Sequence, residues 1–192
     1  MASRILAATI FAGLFVPMIG VPAIAQGAGA AFLAAEQSLD EGTPQQFWSE
    51  FDRAVELFWA EAPLSFRAAT LVDSSEGYGR YVLRDGVRYQ PDDSLTAYLE
   101  PVGYGWTAIG DDFRIRFDLD LEITSEIAGT LLAEPGFAIV ERLSQNRSRE
   151  FQATIELTVP DLPTGRYQLR LTFSDAATGK SAAALFDLEI IE

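Results

Sequence analysis

Phe113-Arg114-Ile115-Arg116-Phe117-Asp118-Leu119-Asp120-Leu121-Glu122-Ile123 alternates apolar and charged side chains without interruption. In an extended chain a period of two puts Phe113, Ile115, Phe117, Leu119, Leu121 and Ile123 on one face and the charges on the other. A helical period cannot gather these residues into one apolar stripe, so the stretch predicts a half-buried strand.

The same period recurs on both sides. Residues 65–72, 95–101, 151–159, 167–173 and 182–191 read as strands, with weaker ones at 129–133 and 137–143 around Glu134-Pro135-Gly136. Asp85-Gly86, between the strand-like runs 80–84 and 87–90, is a strong hairpin signal. Short strands at regular spacing, each with one wet face, predict an all-β sandwich or barrel over residues 64–192. They exclude a helix-rich α/β sheet.

Upstream the period changes. Thr43 as cap, Pro44 in the first turn and Gln46 three residues after Thr43 form a capping-box signature that opens a helix over residues 43–62. Phe47, Trp48, Phe51, Val55, Phe58 and Trp59 share one side of it, and Pro63 ends it. Such a stripe either packs on the chain's own sheets or forms an exposed patch. Residues 26–42, rich in Ala and Gly, read as a flexible leader. Residues 1–25 have one Arg, an apolar middle and a small-x-small end at Ala23 and Ala25. This is the layout of a Sec-type signal peptide, with cleavage expected between Ala25 and Gln26. The apolar run is interrupted by Gly13, Pro17 and Gly20, and no second run of spanning length follows. The expectation is a mature chain without a transmembrane anchor, periplasmic or secreted. One Lys against thirteen Arg suits a high-GC, Gram-negative source.

Asp161-Leu162-Pro163-Thr164-Gly165-Arg166-Tyr167, leading into one strand and a returning hairpin, resembles the end of bacterial immunoglobulin-like and fibronectin-III-like β-sandwich domains. The resemblance covers roughly residues 65–192 and extends to uncharacterised exported proteins of this type. It implies an immunoglobulin-like antiparallel sandwich, on which the N-terminal amphipathic helix is expected to pack. It also implies a tyrosine corner at Tyr167, whose hydroxyl would satisfy a backbone group upstream. It implies no particular activity, since the fold hosts many.

The chain lacks His and Cys altogether. That excludes a Ser-His-Asp triad, a Cys nucleophile, disulfides and zinc sites of the usual kind. A net charge of −14 argues against a nucleic-acid partner. No phosphate-binding loop or dinucleotide fingerprint occurs, and no cofactor is expected. Asp92-Asp93 and Asp111-Asp112 lie in expected loops, where acid pairs serve turns or hold Ca²⁺. Tyr98 to Trp106 is the most unusual segment: Gly103 and Gly105 loosen the backbone around Tyr104 and Trp106, just past a strand holding Tyr98 and Glu100. Aromatics so placed either bind a partner or plug the end of a core. Arg142, Arg147 and Arg149 form the only basic concentration, flanked by Glu141 and Glu150. The function expected is a non-catalytic periplasmic binding module for a protein or envelope glycan, acting through Tyr98, Glu100, Tyr104 and Trp106. A Ca²⁺-stabilised structural domain and a small carboxylate-dependent hydrolase are the alternatives.

Overall fold

Alternation, helix-forming alanines and a few glycine turns account for most of the architecture seen in a computed structural model, which describes residues 23–192. The signal-peptide reading of residues 1–25 lies outside the described residues except for its last three, which open a helix. No helix among the described residues is long and apolar enough to cross a membrane. The chain forms two units, one ending at Ala54 and the other spanning Val55–Glu192.

The first unit is helical. α1 (Ala23–Asp40) occupies the stretch expected to be a flexible leader. The correction has a simple cause: alanine has the best helix propensity, and Ala28, Ala31 and Ala35 line a buried side with no side-chain entropy to lose. Gly42, at φ 71°, ends the helix. Its N–H donates to Leu39 O and that of Thr43 to Ser38 O, a Schellman closure. The Thr43 hydroxyl also donates to Ser38 O at 2.9 Å, so it ties back to α1 rather than completing the expected capping box. α2 (Pro44–Glu61) follows. Its aromatic stripe divides. Phe51 meets Phe32 edge-on at 5.8 Å within the first unit, while Trp48 is 59% exposed.

The second unit takes the end of α2 and ten strands. β1 (Ser65–Gly77), β2 (Arg80–Leu83), β4 (Ser94–Val102) and β8 (Ala153–Thr158) form a four-stranded sheet in the order β2-β1-β4-β8. The other sheet runs β3-β10-β9-β6-β5, from β3 (Arg88–Tyr89), β10 (Ser181–Ile190), β9 (Gly165–Asp175), β6 (Asp112–Ser125) and β5 (Thr107–Ile109). β7 (Gly129–Ser144) pairs along the far side of β6. The fold is thus mostly β, with two helices ahead of the strands.

The charged face of β6 carries ion pairs. Arg116 holds Asp118 at 2.8 Å, and Arg170 of β9 reaches Glu122 at 3.7 Å. The opposite face is the core: Ile115, Phe117 and Leu119 are fully buried, and Phe117 lies against Phe173 of β9. Phe66 of β1 meets Phe173 edge-on at 5.3 Å, so the inner faces of both sheets share one hydrophobic core.

Two pairings differ from expectation. β2 and β3 do not form a hairpin across Asp85-Gly86. β2 turns back on β1 through Gly77 and Gly79, and β3 runs parallel to β10, so the segment between them carries the chain from one sheet to the other. Local turn chemistry was overridden because thirteen-residue β1 extends far enough to pair with β2. The parallel β3–β10 ladder also makes the second sheet mixed rather than purely antiparallel. Around Glu134-Pro135-Gly136 there is one strand with a bulge, not two strands. The Gly136 N–H donates to Asp120 Oδ1 at 2.7 Å, which lets the strand continue past a proline that has no N–H to give.

Candidate functional site

Gly103 follows β4 at φ 80°, and a Cβ there would stand 2.4 Å from the Pro63 carbonyl oxygen. Gly105 is equally confined: a Cβ would lie 2.5 Å from Thr178 Cγ2. The glycines therefore permit close approach; they do not loosen the segment as expected. Lys180, the sole lysine of the chain, fixes it from the β9–β10 turn. Its Nζ donates to Ala60 O, Ala62 O and Gly103 O at 2.7, 2.7 and 3.0 Å. A cation on the last carbonyls of α2 satisfies orphan acceptors and complements the helix dipole.

Tyr104 is only 1% exposed. Its ring meets Phe117 and Phe151 edge-on, and its hydroxyl donates to Ser148 O at 2.9 Å. Burial holds its phenol proton well above the ordinary range. Trp106 is partly exposed and stacks on Trp59 of α2, with ring centroids 5.9 Å apart and 26° between planes. Both indole N–H groups are used internally: Trp59 donates to Tyr104 O at 2.7 Å and Trp106 to Ser148 O at 3.1 Å. What the pair leaves to solvent is ring surface.

Arg142 of β7 and Arg147 and Arg149 of the β7–β8 loop converge on this end of the domain. Arg142 clamps the loop by donating to Ser148 Oγ and Glu150 O. Arg147 pairs with Glu56 at 3.2 Å and lies over the Phe113 ring. Arg149 sits 5.9 Å above the Trp59 ring, and its buried Nε has no hydrogen-bond partner among the described residues.

Tyr98 and Glu100 belong elsewhere, on the face of β4 roofed by the β1–β2 hairpin. Both are buried, with Tyr81 tilted over Tyr98 at 4.4 Å. The Tyr98 hydroxyl donates to Glu100 Oε1 at 2.6 Å, and the Gly79 N–H donates to both side chains. The expectation that Tyr98, Glu100 and Tyr104 meet a partner is therefore corrected. Their side chains are enclosed because the hairpin and the β7–β8 loop fold over them. Of the four, Trp106 alone keeps an accessible surface.

Burial, then the hydrogen bond to Glu100, pushes the Tyr98 pKa from 10.0 to about 12. Above pH 10 the unfolded chain releases this proton while the folded chain keeps it. Stability is therefore full below that pH and is lost on rising toward pH 12, by about 1.4 kcal/mol per pH unit at most for this residue. Urea unfolding between pH 9 and about 11.5 should show the decline, and Tyr98→Phe should remove its share. An unchanged slope in that variant contradicts the assignment.

The Asp92-Asp93 pair serves a turn. Asp92 takes a positive φ of 68°, and Asp93 Oδ2 accepts the Gln90 N–H at 2.7 Å. Asp111 follows Gly110 in the β5–β6 turn, and Asp112 opens β6 opposite Ile109. Among the described residues no three carboxylates converge as a cation-binding set. A groove of about 510 Å³ lies at the other end of the second sheet, with Val87, Thr124, Glu126, Arg166, Asp187 and Leu188 in its walls.

No protein-family model matches this chain, and no curated protein matches it. Among solved structures it is similar to Spo0M, a sporulation control protein from Bacillus subtilis. Identity is 11%, the TM-score is 0.40, and the match covers 68% of this chain and 50% of that one. It is also similar to a chitin-binding domain from Burkholderia pseudomallei, at 14% identity and a TM-score of 0.34, over 56% of this chain and 57% of that one. The alkylpurine DNA glycosylase AlkC of Pseudomonas fluorescens gives 11% identity and a TM-score of 0.34, over 72% of this chain and 33% of that one. The chain thus spans about half the length of Spo0M, and likenesses this distant assign no function.

Three residues that build this end of the domain escape a reading by sequence alone. Lys180 reads as a turn lysine, Asp175 as a strand-end acid and Trp59 as one member of a helical stripe. Each acts on a segment more than forty positions away, beyond the reach of periodicity.

Proposed function

We propose that this chain is a non-catalytic binding module of the periplasm or cell exterior, carried on an immunoglobulin-like β-sandwich. The sandwich reading is supported by two sheets around one core and by Tyr167, whose hydroxyl donates to Pro163 O at 2.6 Å as a tyrosine corner does. The observation that carries the binding reading is the Trp59–Trp106 pair. Its polar atoms are satisfied internally, its ring faces are partly open, and a guanidinium lies above one ring. A platform already held in place costs little ordering entropy on binding, and aromatic and Arg side chains dominate interface energetics. The partner is a protein or an envelope glycan; a net charge of −14 disfavours nucleic acid.

The test is retention of periplasmic components on the immobilised domain. Trp106→Leu and Arg149→Ala, both checked for an unaltered melting transition, should each weaken retention about tenfold or more, the scale of an interface hot spot. Retention unchanged in both folded variants refutes the platform as the binding face.

A further inference from the structure

A second surface, independent of the aromatic platform, lies where the two sheets part. A cleft of about 290 Å³ opens between β7 and β8. Its floor is Leu95, Leu121, Ile123 and Leu169, all buried core residues. Leu132 and Phe137 of β7 form one wall and Leu157 of β8 the other. The cleft is therefore an apolar opening into the core between two edge strands, since β7 pairs with β6 and β8 with β4, and neither has a second neighbour among the described residues.

The two edges are not equivalent. β7 is guarded against strand addition. Pro135 offers no N–H, the Gly136 bulge breaks the ladder, and register places Glu134 opposite Leu121, on the core side. β8, Ala-Thr-Ile-Glu-Leu-Thr, has no proline, glycine, lysine or bulge on its free side. Its Ile155 and Leu157 face inward, opposite Ala97 and Leu95, while Glu156 faces out. Glu134 and Glu156 both line the cleft, and neither has an ion-pair or hydrogen-bond partner among the described residues.

We propose that this cleft receives an extended segment of a partner protein, laid along β8, in which apolar residues alternate with Lys or Arg. Backbone pairing with the open edge supplies the main-chain bonds. Alternate side chains enter the cleft because successive residues of a strand point to opposite faces. A cationic residue between them meets Glu156 on the outward face, and one at the mouth of the cleft meets Glu134. A second copy of this chain fits poorly, because antiparallel pairing through β8 brings Glu156 toward Glu156, and like charges facing across strands repel.

The probe is a fluorescently labelled peptide of alternating Leu and Lys, followed by anisotropy at physiological salt. Its comparator has Ser in place of Leu. The Leu/Lys peptide should bind at least tenfold more tightly than the Ser/Lys peptide. Glu134→Gln with Glu156→Gln should weaken binding about tenfold, while the remote pair Asp85→Asn with Asp111→Asn, which alters net charge equally, should leave it nearly unchanged. These are exposed positions, so the variants should keep the melting transition of the parent chain. Equal binding of the two peptides, or equal loss in the cleft and remote variants, overturns the proposal. So does a concentration-dependent dimer that the cleft variants abolish, because the occupant is then a second copy. Loss of the Trp106→Leu phenotype leaves these outcomes untouched, so the two surfaces fail separately.

Discussion

Alanine at Gly103 destabilises the second unit by about 2–5 kcal/mol. Two costs add. A positive φ of 80° is strained for any residue with a Cβ, by about 1 kcal/mol or somewhat more. The new methyl also meets a backbone carbonyl, with 2.4 Å to Pro63 O and 3.1 Å to Pro63 C. Backbone cannot rotate aside as a side chain does, and overpacking of this kind costs about 1–3 kcal/mol. The carbonyl of Gly103 is also one of the three acceptors on Lys180, so a shifted turn loosens the cap of α2 as well. The melting temperature should fall by roughly 10 °C, and the urea midpoint should fall with the slope unchanged. Gly110 is the control. Its φ is 60° but a Cβ placed there would have nothing within 4 Å, so Gly110→Ala reports the conformational cost alone. Equal losses at the two positions would show that close approach at Gly103 contributes nothing.

Asp175→Ala lowers stability by about 3 kcal/mol. The side chain is 1% exposed and accepts from three donors. Gly105 N–H reaches Oδ2 at 2.8 Å, Ala177 N–H reaches Oδ1 at 3.0 Å, and the Thr178 hydroxyl donates to Oδ2. Removing the carboxylate leaves a buried Gly105 N–H without an acceptor, and an unsatisfied buried donor costs about 1–3 kcal/mol beyond the lost bonds. Asp175→Asn keeps one oxygen acceptor and should recover roughly half of the loss. Chemical denaturation of the three proteins gives the order directly. An alanine variant as stable as the parent would mean that water replaces the carboxylate, and that the Gly105 segment is held by its aromatic contacts alone.

These two positions show how the candidate site was legible and where it was not. Tyr104 and Trp106 are conspicuous in sequence as aromatics among glycines, and the choice between binding and packing was open. Burial divides them: Tyr104 packs against Phe117 and Phe151, and Trp106 keeps an open face. The flanking glycines read locally as flexibility, because nothing within five residues reveals that Pro63 and Thr178 press against them. Tyr98 and Glu100 look like surface residues by alternation alone. They are enclosed because β1 runs on past its pairing with β4 and folds a hairpin over them.

Alternation along β4, β6, β9 and β10 is a property of the chain itself, since burying one face of an extended segment needs only a period of two. The sequence therefore determined these four strands, their buried faces, the helix that opens at Pro44, and the exclusion of chemistry that needs His or Cys. Tertiary structure decided the rest. It decided that β3 crosses to β10, that Lys180 caps α2, and that a cleft stays open beside β8. Each of these depends on which distant segments come within a few ångströms, and contact between distant segments leaves no period in the sequence.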